Sequence, residues 1–512
     1  MTRIMTTYKG HAGKGLRSLP RFLVAMALAL PLVACDTDKI VEVEDPALRR
    51  PEDLNNAGAV PALVNGAFRQ FLGGYSGFGD DAFLSSSAVI SDEAYYGDTF
   101  PTRQAADRRT VQAPVLTNIT DPAFTRLQQA RLNARRAFAV VNQFSTSQTA
   151  EADAATKGQL RTIEGYVYVT LSEGWCGAVP FSVVPDEGPI DPTAIVFGAA
   201  LNTDQMNDTA IVRFNEALAA DPGNGLAAVG KGRALLNRGQ YAAAAAAVAG
   251  IPTLYAFKLE HSANTSAENN PMFALMSNGR YGISNLEGGL NGAIALRADL
   301  RTPPLTAPSA EGLPFRALED PRVPWSGRPN ATNGCFSGSI LCWINNNYPS
   351  NDSDVPLATG VEARLIEAEA DLQSGNAAAM MTKLNALRAN VVTLLAVLYP
   401  DQKQTFPAPG TGGTVSLPAL ADPGAGLSAA DAFAARRNLL FQERALWLFN
   451  TGHRQGDLRR LIRNYGLPSS SVFPSGPNFR GGTYGNDVSY PLPFAEENNT
   501  SYDPSTCDTT KG

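Results

Sequence analysis

Two stretches of this chain are patterned as pairs of antiparallel helices, and they restrict the possible architectures more than any other feature. In "AIVRFNEALAADPGN", Ala210, Phe214 and Ala217 fall on one helical face and Pro222 follows its end. The next stretch, "GKGRALLNRGQYAAAA", carries Gly232, Gly239, Tyr241 and Ala244. Small residues let two helices approach closely, and the aromatic ring fills the space between successive pairs. "VEARLIEAEADLQSGNAAAMMTKLNALRANV" repeats the plan. Val361, Leu365, Ala368 and Leu372 form one stripe, Gly375 ends the helix, and Met381, Leu384 and Leu387 form the partner's stripe. Such pairs bury their apolar faces only by stacking on neighbours, which predicts a mostly α-helical body.

Further helical patterns occupy "AVPALVNGAFRQFL" from Ala59, "FTRLQQARLNARRAFAVVNQF" from Phe124, "LRTIEGYVYVTLSEGW" from Leu160 and "DAFAARRNLLFQERALWLFNTGHR" from Asp431. Two other stretches lack long periodicity. Residues 251–356 and 399–426 are rich in Gly, Pro, Asn and Ser, and inserts of this length in a compact body are usually functional or disordered. The aromatic residues of the first argue against disorder.

The N-terminus predicts export. Lys9, Lys14, Arg17 and Arg21 precede the apolar run "FLVAMALALPLVA", Phe22 to Ala34, which is too short for a permanent membrane span and has the form of a signal peptide over 1–34. The run ends in "LVAC", which resembles a bacterial lipobox and makes Cys35 the expected lipidation site. Residues 35–55, acidic and holding Pro46 and Pro51, form a tether to a body over 56–512. The net charge of −6 gives no support to nucleic-acid binding, which requires a basic face.

Four cysteines remain, and in an oxidising compartment they are expected to pair. Four thiols allow three connectivities. Cys335 and Cys342 are near enough to close a small loop around "FSGSIL" and are the expected bridge, while pairing of Cys176 with Cys507 stays open. No CxxC or neighbouring histidine supports zinc, and no cofactor motif is present. Signatures of catalysis are nearly absent, since "GTGGT" at Gly410 lacks a preceding strand and a following Gly-Lys-Ser. The stretch "NTGHRQGDLRRL" holds one of only three histidines. It closes a long apolar helix, with Gly452 as a helix stop, so Arg454, Asp457 and Arg459 are read as a structural charge network.

The order of the segments resembles the SusD/RagB family of outer-membrane nutrient-binding lipoproteins. The likeness is carried by the lipobox, "DPALRRPEDLNNAGAVPALVNGAFRQF", "SDEAYYGDTFPTR", hairpins of tetratricopeptide kind, "DPRVP", "QERALWLFNTGHRQGDLRR" and "YPLPFAEENNT". Glu443, Arg444, Gly452, His453, Arg454, Asp457, Leu458 and Arg459 match the family's closing pattern. Trp447 and Thr451 depart from it, where acids are usual, and Gln455-Gly456 replaces an aromatic pair. The resemblance implies a mostly α fold on tetratricopeptide-like hairpins, with long irregular inserts carrying the ligand face. It also implies a lipid-anchored position at the cell surface and a SusC-like TonB-dependent transporter as partner. The implied cargo is an oligosaccharide or another nutrient, bound without catalysis. The alternatives are a lipid-anchored scaffold that binds protein alone and, behind it, a glycoside hydrolase.

A sugar site needs aromatic platforms for the apolar face of a pyranose and polar groups for its hydroxyls. The first loop offers Tyr95, Tyr96 and Phe100, with Asp98 and Arg103 beside them. The central insert offers Tyr281 and Trp325, with Asn278, Arg280 and Asn285 nearby. Trp343, next to Cys342, is expected to cover the disulfide. Ordinary packing of loop against body is the competing role for each ring.

Overall fold

The computed structural model describes residues 54–77, 82–111, 119–144, 149–183, 196–284, 313–316, 318–328, 334–338, 341–402, 415–478, 480 and 482–512. The signal peptide, Cys35, nearly all of the tether, Phe78, Asn285 and the "GTGGT" stretch lie outside these residues.

In chain order the elements are α1 (Val60–Ser76), α2 (Phe83–Ile90), β1 (Ala94–Tyr96), α3 (Pro101–Asp107), α4 (Asp121–Phe144) and α5 (Ala150–Gly174). They continue with β2 (Val179–Val183), β3 (Val196–Leu201), α6 (Thr203–Ala220), α7 (Gly225–Asn237), α8 (Tyr241–Val248) and β4 (Ala256–Leu259). Next come α9 (Pro271–Ser277), β5 (Tyr281–Ile283), β6 (Trp325–Gly327), β7 (Trp343–Asn345) and β8 (Val355–Thr359). The chain closes with α10 (Gly360–Gln373), α11 (Ala377–Ala389), α12 (Val391–Leu398), α13 (Ala429–Trp447) and α14 (Arg454–Arg463). The strands form four two-stranded antiparallel ladders: β1–β5, β2–β3, β4–β8 and β6–β7. The stretch 251–356 is therefore less irregular than its composition suggests. Its strands are too short to show a period-2 pattern, and their partners lie far away in sequence.

The helix ends follow local chemistry. Asn202 and Gln205 form a reciprocal capping box at the start of α6, and Asn224 caps α7 through the Ala227 N–H. Gly375, at φ +75°, turns the chain out of α10, and Asn376 then caps α11. Successive helices α4, α5, α6, α7, α8, α10 and α11 pack in a continuous series, and α13 lies on α10. Phe214 of α6 is the knob of this stack. A Cβ on Gly165 of α5 or Gly230 of α7 would lie 2.6 or 2.5 Å from its ring, so both helices are glycine where the ring enters. Tyr166 meets the same ring edge-on at 5.3 Å.

The end of α13 and the start of α14 are held by buried charges. Asp457 accepts both Nε and Nη2 of Arg444, at 2.7 and 2.8 Å, and Nη2 of Arg460 at 2.8 Å. Burial alone would raise the Asp457 carboxyl, but the two guanidiniums hold it well below the usual carboxylate range. Arg460 also pairs with Glu369 of α10. Arg454 grips Asp92 with two bonds of 2.6 and 2.7 Å. Arg459 donates to the carbonyls of Ser172, Glu173 and Trp175 at the C-terminal end of α5, where the helix dipole favours a cation. His453 sits between Thr451, Arg233 and Glu362, at 2.8, 3.1 and 3.2 Å. The conspicuous His-Asp stretch of the sequence is thus a buried scaffold joint.

The glycine contacts around Phe214 predict opposite outcomes for two helix substitutions. Gly165→Ala should lower the free energy of unfolding by about 1–3 kcal/mol through overpacking. Gly66→Ala in α1, where an added Cβ meets nothing within 4 Å, should be neutral or raise it by up to about 1 kcal/mol. Urea denaturation of both variants checks the pair.

Candidate functional site

The first loop and the central insert are joined by the β1–β5 ladder, which sets Tyr95 opposite Gly282 and Tyr96 opposite Tyr281. The Tyr95 ring lies across Gly282, where a side chain would collide with it. Its hydroxyl donates to the Leu341 carbonyl at 2.5 Å. Tyr96 and Tyr281 meet edge-on at 5.5 Å, and Trp325 and Trp343 do so at 5.2 Å across the β6–β7 ladder. Trp325 Nε1 donates to the Arg316 carbonyl at 3.1 Å.

Cys335 and Cys342 are bonded, with Cα atoms 4.8 Å apart, and their sulfurs press on Gly97. Tyr95 packs on the same two cysteines. Cys176 and Cys507, 331 residues apart in sequence, form a second disulfide that ties the C-terminal segment to the end of α5.

The structure therefore gathers the predicted residues but withdraws most of them from solvent. Tyr95, Tyr96, Tyr281 and Trp325 are at most 2% exposed, so none of them presents a ring face to solvent here, in keeping with packing of loop against body. The insert folds back onto the body: Tyr96, Tyr281 and Trp325 join the main hydrophobic core, Tyr95 packs on the disulfide, and large rings gain the most from such burial. Trp343, 8% exposed, is buried against Trp325. Phe100 alone of the five stays open, at 47%.

What this buried layer presents outward is a different trio. The Arg280 guanidinium lies 5.4 Å from the Phe100 ring centroid and 5.6 Å from that of Phe336, which is 60% exposed. Arg103 stands 5.9 Å from Phe100 on its own helix. Buried Asp98 orients Arg280 from below at 3.4 Å, while accepting the Thr99 N–H at 2.7 Å. Backbone bonds lock the tip: Phe336 N–H donates to the Gly279 carbonyl at 2.8 Å and Ser337 N–H to that of Gly97 at 3.2 Å. Two open rings flanking a cation that is held in place can stack on apolar ligand faces and donate to hydroxyls or carboxylates. Phe336 is not among the rings expected from the sequence, where the flanking cysteines dominate its short loop. A lone aromatic in a Gly/Ser turn closed by a disulfide has no core to enter, and that was the available signal.

Ser76 and His261 pair at 3.1 Å, but Ser76 is fully buried and no substrate could reach it. Burial holds the His261 imidazole below its ordinary value, and its Nδ1 faces the Glu268 carbonyl at 3.0 Å. Among the described residues no group of three or more His, Cys, Asp or Glu is placed to hold a metal ion.

Residues 203–256, spanning α6 to α8 and reaching the start of β4, match the family model described as tetratricopeptide repeat. No curated protein matches the sequence closely enough to be called similar. Solved structures do match across the chain. A SusD-like carbohydrate binding protein from Bacteroides vulgatus superposes with a TM-score of 0.53 at 14% identity, covering 86% of this chain and 96% of that one. A laminarin binding SusD-like protein gives 0.51 at 16% identity, covering 87% and 98%. NanU of B. fragilis gives 0.51 at 12% identity, covering 90% and 98%.

Glu93, immediately before β1, links this layer to the charged joint, for its Oε1 accepts the Asn450 N–H at 2.8 Å. Burial pushes its carboxyl up to about 8 from 4.5. The folded state thus favours the neutral acid, and this contribution to stability, complete below about pH 4.5, is lost as pH rises toward 8. Glu93→Gln should match the wild type near pH 4.5 and exceed it by on the order of 2–4 kcal/mol near pH 8. Urea unfolding across that range measures the difference.

Proposed function

We propose that this chain, which has the SusD-like fold, is a nutrient-binding lipoprotein that captures an oligosaccharide without chemical turnover. The Phe100–Arg280–Phe336 surface carries this reading. Its two open rings and central guanidinium stand on a buried aromatic layer, so the ligand meets a surface that is ordered beforehand and little entropy is lost on binding. Acylation of Cys35 anchors the body to the outer membrane at the cell surface. Residues 35–55 give it reach, and the lipid raises its effective concentration beside a SusC-like TonB-dependent transporter that receives the cargo. Weak, shape-based contact suits capture followed by release.

Phe336→Ala and Arg280→Ala should each weaken binding of a recognised glycan by about tenfold. Phe336→Ala should leave the unfolding midpoint within error, whereas Arg280→Ala should lower it because buried Asp98 loses its cation. Affinity electrophoresis against laminarin and other soluble polysaccharides reads the first effect. Release of reducing sugar by the purified protein would refute the absence of turnover. Cys35→Ser should fold and bind as the wild type does, yet leave the membrane fraction. Its retention on outer membranes washed at high salt would refute the anchor.

A further inference from the structure

A second, separate cleft of about 410 Å³ lies between α4, the β2–β3 hairpin and the turn at Phe494–Asn498. That volume falls within the roughly 300–1,000 Å³ of small-molecule sites. It follows from three local patterns. On α4, Thr125, Gln128, Gln129 and Leu132 recur at helical spacing and share one face, which lines the cleft. On the hairpin, Ser182 stands opposite Phe197 in the ladder, and both line the cleft. The C-terminal turn adds Glu496, Asn498 and Asn499.

The floor is buried and its charge is already satisfied. Arg131 is 2% exposed and donates to the Ser182 carbonyl at 3.0 Å and to Gln128 Oε1 at 3.3 Å, with the Phe181 ring 5.2 Å away. Glu496 accepts Asn499 Nδ2 at 3.1 Å. Arg131 is thus engaged by the protein beneath the cleft, while the Glu496 carboxylate, with one amide donor, still has acceptor capacity for hydroxyls. The walls add amides and hydroxyls that can donate and accept, the apolar Leu132, Pro180 and Ala495, the buried Phe124 ring and one open aromatic ring. That ring, Phe197, is 58% exposed although it is a large apolar group. Paired donors and acceptors suit vicinal hydroxyls, and the ring suits the C–H face of a pyranose.

We propose that this cleft is a second binding site for a neutral saccharide of one or two pyranose units, with Phe197 as its platform and Gln129 and Asn498 as hydroxyl partners. It shares no residue with the Phe100–Arg280–Phe336 surface, and its case stands if that surface binds nothing. A protein with two such sites would hold separate parts of one glycan chain, or one chain and one short product. Both Phe197 and Gln129 are exposed, so replacing them should leave the fold intact.

The test is saturation-transfer NMR on the purified protein with glucose, galactose, laminaribiose, cellobiose and maltose, followed by titration. The inference predicts that at least one of these binds saturably, and that Phe197→Ala and Gln129→Ala each weaken it about tenfold. Phe336→Ala should leave that binding unchanged, whereas loss of glycan binding in Phe336→Ala alone reports on the other surface. The cleft is refuted as a saccharide site if no member of the panel binds, or if neither Phe197→Ala nor Gln129→Ala changes any affinity.

Discussion

The structure turns on a set of arginines buried against carboxylates and carbonyls where α13 gives way to α14. Asp457 takes two guanidiniums, Arg460 reaches across to Glu369, and Arg454 reaches back to Asp92 beside β1. Arg233 of α7 pairs with Glu173 of α5 and meets His453 at the same joint. Asp457 ties α13 to the start of α14, while the Glu369, Asp92 and Glu173 pairs join elements remote in sequence, so together they fix how the helical stack meets the loop layer. Burying such charges contributes little net stability compared with apolar packing, but breaking one pair strands its partner, and the arrangement is therefore specific. The same joint includes Asn450 at φ +52° and Gly452 at φ +82°, where the chain turns sharply against Tyr75.

From that joint outward, order passes to the loops through short strands and a disulfide. Asp92 and Glu93, both tied to the joint, lead directly into β1, and β1 pairs with β5. The Cys335–Cys342 bond then braces the tip over Gly97. A binding surface built on loops needs such support, because a loop that must be ordered by its ligand loses affinity to conformational entropy. The buried tyrosines and tryptophans supply that support, and the rings at the turn tips, Phe100 and Phe336, are the ones left open to solvent.

Much of the fold was legible because its signals are local. Helical periodicity marked the hairpins from Ala210 to Ala244 and from Val361 to Leu387, and Gly375 stands at the turn where the pattern placed a helix stop. The charged character of "NTGHRQGDLRRL" also followed from its setting at the end of an apolar helix. The paired strands were not legible. Three-residue strands such as β1 and β5 carry no usable period, and their partners are set by the way the whole insert folds back.

The aromatic loops mark the division most clearly. By itself the sequence determined that Tyr95, Tyr96, Phe100, Tyr281 and Trp325 sit in two stretches without helical periodicity, because composition and broken periodicity are properties of adjacent residues. Only the tertiary structure decided which rings face water. Tyr95 and Trp325 vanish into a core that exists only once β1 meets β5 and β6 meets β7, while Phe100 and Phe336 are left on either side of Arg280. Burial is a property of contacts between distant segments, and no local pattern of residues records it.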